Sequence, residues 1–311
     1  MTPLVALSVG GILLAWRGHR LLSWLAGRRV DPTILLTGWT ASTVGLVASL
    51  LATLSLVALP VGDHHSGALR LAGECWTAIS SGVAPGAAAT MGGIGVMTAA
   101  VVVVRIAYVV HGRFRRRRRN APHLRQLRAL AADCRGQEPL WIEDERPIAL
   151  SIGGRAGLII LSRALQTHLT PAAVRATLEH ERAHLRGRHH LILAVVDTLA
   201  TALPWCPLLR AAPEAARDLV ELAADSQAAR RCGKPAVREA LSRLTGHPMP
   251  AAALAMAGRL TEARLQRLSS GSLGASGLSR LAGCSAIAAG ALVLPAATAG
   301  LAARIVLCAF G

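Results

Sequence analysis

Residues 178–188 read Leu-Glu-His180-Glu181-Arg-Ala-His184-Leu-Arg-Gly-Arg188. Two imidazoles four positions apart share one face of a helix, so both can reach the same cation. A carboxylate directly after the first of them stands beside that cation without binding it. Nitrogen donors of this kind suit one zinc ion, which lowers the pKa of a bound water towards ~7. Glu181 is then the base that takes the water's proton as it attacks a peptide carbonyl. The competing reading is a surface helix with two solvated histidines. Against it stand a helix-start signal at Thr170-Pro171 and a third ligand within forty residues.

That third ligand is Glu221, in Val-Glu221-Leu-Ala-Ala-Asp225. Glu221 and Asp225 lie one helical turn apart, so Glu221 can complete a His₂Glu set while Asp225 holds a ligand imidazole in its metal-binding tautomer. Glu214 and Asp218 compete with Glu221 if the helix register is misread. Metalloproteases also need a group to stabilise the oxyanion. Tyr108, the only tyrosine, belongs to an apolar segment, which leaves His189, His190 and Arg217.

Both parts of the site need rigid elements. Thr170 as N-cap and Pro171 as first residue open the motif helix, and a second helix is expected from about Glu214 to Arg231, stopping at Gly233. Leu127 to Arg135 reads as helical. Extended pieces within Leu140–Ile152, a Gly153-Gly154 turn and the β-rich run Gly157–Ser162 predict a small antiparallel hairpin. The Gly157–Ser162 strand is a place where substrate could add as a further strand, unless it is covered.

The rest of the chain is of another kind. Of its 311 residues 52% are hydrophobic and only 16% charged, a balance that argues against a plain soluble protein. Uncharged runs lie at Leu4–Trp16, Ile34–Leu59, Ala84–Val104 and Leu281–Ala303, each read as a membrane span. Leu191–Pro204 is apolar but only 14 residues long and contains Asp197, so a buried or membrane-grazing helix is expected there. No basic residue precedes Leu4, so the first run is not read as a secretory signal. Arginines follow the first and third spans (Arg17, Arg20, Arg28, Arg29; Arg113 to Arg119) and precede the fourth (Arg259, Arg264, Arg267, Arg280). By the positive-inside rule both termini lie outside and the segment between the third and fourth spans is cytoplasmic. The arginine run lacks interleaved aromatics, which favours topology and anionic-lipid contact over nucleic acid, and no direct nucleic-acid binding is expected. Six scattered cysteines form no Cys-x-x-Cys pair and read as structural thiols. Cys75 and Cys308 alone fall on one outer side, and whether they pair is open.

The run Leu-Thr-Pro-Ala-Ala-Val-Arg-Ala-Thr-Leu-Glu-His180-Glu181-Arg-Ala-His184-Leu-Arg-Gly-Arg188 resembles the membrane-embedded gluzincins. It is most similar to the antirepressor metalloproteases of the β-lactam-receptor family. Heat-shock membrane proteases share its His-Glu-x-x-His and Glu-x-x-x-Asp core with a different placement of spans. The resemblance implies His180, His184 and Glu221 as ligands, Glu181 as base and Asp225 behind the ligands. It also implies a mainly α polytopic fold of about four spans with an inserted α+β zinc-protease domain and a small antiparallel sheet. The division is 1–112 (spans near 2–16, 34–59 and 84–110), 113–280 for the protease domain and 281–311 for the last span. The implied substrate is a cytoplasmic regulatory protein, such as a winged-helix repressor. The alternatives are a housekeeping protease that clears damaged membrane proteins and a catalytically inactive receptor. Many relatives carry Arg-Asp where this chain has Arg188-His189, so a carboxylate behind the ligands is missing there. The family's receptors continue into an extracellular penicillin-binding domain. The sequence stops at Gly311, and sensing through such a domain is not expected. The activating signal, physiological substrate and oligomeric state leave no mark in the sequence.

Overall fold

A computed structural model describes residues 2–26, 30–58, 97–98, 100–119, 139–154, 157–244, 261–269, 279 and 281–287. The chain is mostly helical, with one small mixed sheet. Helix α1 is Thr2–Ala26 and α2 is Pro32–Ala58. Asp31 accepts from the backbone N–H of Thr33 (2.9 Å) and caps α2. Helix α3 covers residues 100–119, so the boundary expected at 112 falls inside a helix. Strands β1 (Leu140–Ile142), β2 (Ala149–Ile152) and β3 (Leu158–Ser162) follow. Then come helices α4 (Ala164–His168), α5 (Pro171–Arg186), α6 (His189–Ala202), α7 (Pro207–Cys232) and α8 (Lys234–Leu244). Two further helices cover residues 261–269 (α9) and 281–287 (α10).

Among the described residues one helix segment, Pro32–Leu51 of α2, is long and apolar enough to cross a membrane, and half of it is buried inside the protein. The first expected span is the start of a longer helix, because α1 continues past Trp16 through Arg17 and Arg20 to Ala26. Much of the third and fourth expected spans, the Leu127–Arg135 helix and the loop after Pro60 lie outside the described residues. So do Cys75, Cys134 and Cys308, while Cys206, Cys232 and Cys284 are free thiols.

The sheet departs from the antiparallel expectation. Its order is β1-β3-β2, with β2 antiparallel to β3 as the hairpin signal predicts and β1 parallel to β3. A strand of only three residues shows no alternation, and a parallel partner carries no tight-turn signal. The Gly157–Ser162 run is therefore the central strand, paired on both sides and buried at all five β3 positions. It cannot accept an added strand; β2 holds an edge.

Thr170 caps α5 by accepting from Ala173 N–H (3.3 Å), with Pro171 at the first helical position. Its hydroxyl also donates to Glu239 of α8 at 2.8 Å. Helix α7 starts at Pro207, seven residues before the expected Glu214, and carries Pro213 within it. Three closely spaced prolines hid that start, since a proline inside a helix reads as a break. Its end at Gly233, with φ 84, is the predicted one.

Helices α5 and α7 pack side by side, and α7 also lies against α1 and α2. One core cluster joins Leu22, Leu35 and Trp39 from the N-terminal helices to Leu208, Ala212 and Val220 of α7. Residues on both sides of the expected boundary thus share a core. Elsewhere along the α5–α7 contact, buried Glu179 receives Arg182 (2.8 Å), Arg186 (3.1 Å) and Arg231 of α7 (3.0 Å). Burial alone would raise its carboxyl, but these arginines outweigh it and hold the group below the usual range.

Candidate metal centre

Helix α5 presents His180 and His184 on the face towards α7, and α7 brings Glu221 opposite them. The two Nε2 atoms are 3.0 Å apart. Glu221 Oε2 is 3.4 Å from His180 Nε2, and Oε1 is 3.4 Å from His184 Nε2. One ligand atom from each of the three residues lies within 4.8 Å of the others. Ligands at zinc bond lengths in a tetrahedron stand about 3.3 Å apart, so the spacing suits such an ion. Glu214 and Asp218 are exposed on α7 and do not join this group among the described residues. Burial, with Glu214 and Glu221 nearby, raises the carboxyl of Asp218.

The outer nitrogens of both imidazoles are also partnered. Asp225, 3% exposed, lies 2.9 Å from His180 Nδ1. His189 Nδ1 lies 2.9 Å from His184 Nδ1. The sequence left the Arg188-His189 position without its expected carboxylate. The structure places the His189 ring there, buried and edge-on to His184 at a centroid distance of 4.8 Å. That contact engages Nδ1 of His189.

Arg264 of α9 is the residue that the sequence reading missed. Its guanidinium donates twice to Asp225, at 2.6 and 2.8 Å, and approaches Glu221 Oε2 at 3.3 Å. A neighbouring arginine, Arg267, bonds the Val30 carbonyl between α1 and α2. Arg264 is one of several arginines in its stretch, and no spacing singles it out.

These charges set the protonation of the site. Burial works against charging His180, but hydrogen bonds and the charges of Asp225 and Glu221 outweigh it and hold the imidazole up at about 10. Burial likewise opposes ionising Glu221 and Asp225. His180 and Arg264 overcome this and bring both down to about 2. Burial and the charge on His180 lower His184 to about 4, and burial with His184 close by lowers His189 to about 4. At neutral pH without metal, His180 therefore donates from Nδ1 to Asp225 and from Nε2 towards Glu221 and His184. The proton on His180 Nε2 occupies the place a cation would take.

Comparison with protein-family models, curated proteins and solved structures gives no match.

Glu181 follows His180 on α5, is half-buried and acts electrostatically on Arg264. Asp197 of α6 holds Arg217 at 2.7 Å, one turn before Glu221. His190 packs on Gly153 at the end of β2, where a Cβ would come within 2.3 Å of the ring, so the hairpin turn needs glycine there. Burial, Arg117 and Arg188 lower its imidazole. His190 thus links the end of β2 to α6.

Removing the His189 ring, as in His189→Ala, leaves His184 Nδ1 without its partner. The expected cost is ~1–3 kcal/mol of stability, read as a lower denaturation midpoint of the metal-free protein. An unchanged midpoint would show that the contact holds nothing in place.

Proposed function

We propose that the chain is a zinc metalloendopeptidase of the cytoplasmic membrane. It has about four spans, both termini outside and the active site on the cytoplasmic side. The observation that carries this reading is the convergence of His180, His184 and Glu221, with both outer imidazole nitrogens held by Asp225 and His189. A structural histidine pair needs neither a carboxylate opposite nor a base beside it. The arginine run at the end of α3 and the resemblance in the motif helix support the orientation and the substrate class.

A zinc ion held by these three residues supplies an acidified water and an electrophile for the scissile carbonyl. The remaining work belongs to the protein. Asp225 and His189 fix the two imidazoles so that each turns Nε2 inwards. Arg264 fixes Asp225 and balances its charge. Glu181 takes the proton of the attacking water and delivers it to the leaving amine. The β2 edge, which ends at Gly153 against His190, accepts the substrate backbone as an added strand with loose sequence preference. The substrate is a cytoplasmic regulatory protein, a winged-helix repressor being the instance the resemblance suggests.

The test is metal content measured beside proteolysis. Protein purified and reconstituted in bilayers is expected to hold one zinc per chain. 1,10-Phenanthroline should remove both metal and proteolysis, and one equivalent of zinc should restore both. Wild-type protein without zinc, or cleavage that survives its removal, overturns the reading.

Binding must also release a proton. Below about 10 the metal-free site carries a proton on His180 Nε2, while His184 is already neutral above about 4. Apparent zinc affinity is thus expected to rise about tenfold per pH unit between pH 6 and 9, with close to one proton released per ion. Calorimetry in buffers of different ionisation enthalpy reads the proton directly. A binding heat independent of buffer contradicts this protonation scheme.

A further inference from the structure

Two transitions from apolar to basic sequence and the turn between α6 and α7 meet at one level of the helix bundle. In α1 the uncharged run ends at Trp16, 70% exposed, followed by Arg17. In α3 the uncharged run ends at Val104, followed by Arg105, whose guanidinium lies 5.2 Å from the ring of Trp205. Trp205 is 60% exposed in the turn between α6 and α7. The next residue, Cys206, points its thiol at the Ala15 carbonyl, 3.9 Å away. Ala15 to Arg17, Arg105 and Trp205 therefore share one height while lying far apart in sequence.

The two sides of this level differ in charge rather than in apolar exposure, since Tyr108 and Val110 of α3 are exposed beyond it. On one side Val101 and Val104 of α3 are exposed and apolar. On the other, α3 continues to the Arg113–Arg119 run, and α2 passes into the core, where Trp39 is 1% exposed beside α7. Exposed tryptophan next to arginine marks the junction of hydrocarbon and headgroups, where the ring bridges both media and the guanidinium reaches phosphate. The turn itself packs on both helices of this region, as Leu203 and Leu209 join Val47 of α2 and Val102 of α3 in one cluster.

We propose that this level is the inner surface of the bilayer and that the α6–α7 turn rests in its headgroup layer, with Trp205 inserted and Arg105 beside it. The proposal builds on the membrane reading above. At 14 residues α6 is too short to span, so the hairpin dips to the surface and returns. Helix α7 runs 14 residues from Pro207 to Glu221, which puts the metal ligands no more than about 21 Å from the lipid. The substrate's scissile segment is accordingly cut within about 21 Å of the membrane.

The test uses the full chain in vesicles of phosphatidylglycerol and phosphatidylcholine and compares wild type with Trp205→Phe. At an exposed position this change leaves the core intact. The emission lost in the variant is expected to be quenched by lipids brominated at carbons 6 and 7 and spared by aqueous iodide. Quenching by iodide but not by bromolipid puts the turn in water and overturns the proposal. Resistance to both quenchers puts it under protein and overturns it equally. Release of the whole chain from vesicles by an alkaline carbonate wash is a different failure, that of the membrane reading itself.

Discussion

Glu181→Gln is expected to keep zinc bound and to lower proteolysis by roughly 10²–10⁴-fold. The side chain is outside the group formed by His180, His184 and Glu221, so glutamine in its place removes no ligand. What it removes is a proton acceptor next to the reacting water, since an amide has nearly the shape of a carboxylate and almost none of its basicity. Zinc content and cleavage of one substrate, measured on the same preparation, separate the two effects. Equal cleavage by variant and wild type sinks the enzymatic reading. Loss of zinc together with activity reassigns Glu181 to a structural part.

Arg264→Ala carries the second large effect. It leaves Asp225 and Glu221 in a mostly buried site with His180 as their remaining close cationic partner. Breaking a buried pair from one side costs ~3–5 kcal/mol, because the charge left behind is neither solvated nor matched. The sign with pH follows from the carboxyls. Both are held at about 2 in the fold, so the stability they contribute is complete above the unfolded value near 4 and is lost as pH falls through about 2. The gap between wild type and variant is therefore expected to be widest above about pH 5 and to narrow below 4. Zinc should stabilise the variant more than the wild type, since the ion replaces the missing positive charge. Arg264→Lys should fall between them, as an ammonium cannot form the two-point contact. Chemical denaturation with and without zinc reads all of this, and a gap that ignores both pH and zinc would falsify the clamp.

Much of the site was legible because its signals are local. Thr170-Pro171 and Gly233 are helix punctuation that acts within a turn, and the spacings of His180 to His184 and Glu221 to Asp225 act through helix periodicity alone. What could not be read depends on distant partners. Arg264 meets Asp225 from 39 positions away, and Arg259, Arg267 and Arg280 were equally eligible. Nothing in the sequence shows the His189 ring meeting His184. β1 pairs in parallel with a strand some twenty residues on, which hairpin signals do not report. The same limit explains α1 and α2. A face of leucine and alanine reads alike whether it meets lipid or another helix, so the shared core with α7 stayed hidden.

That shared core bears on the order in which the molecule is made. Helix α2 ends at Ala58 and α7 begins at Pro207, so the surface that receives the ligand-bearing helix leaves the ribosome long before the helix does. The early helices act as a template, and the late one finds its register on Leu35 and Trp39. The helix that carries Glu221 is thus made after the surface it packs on. Under the proposed function, hydrolytic power would come late in biogenesis, after the helices proposed to anchor the chain.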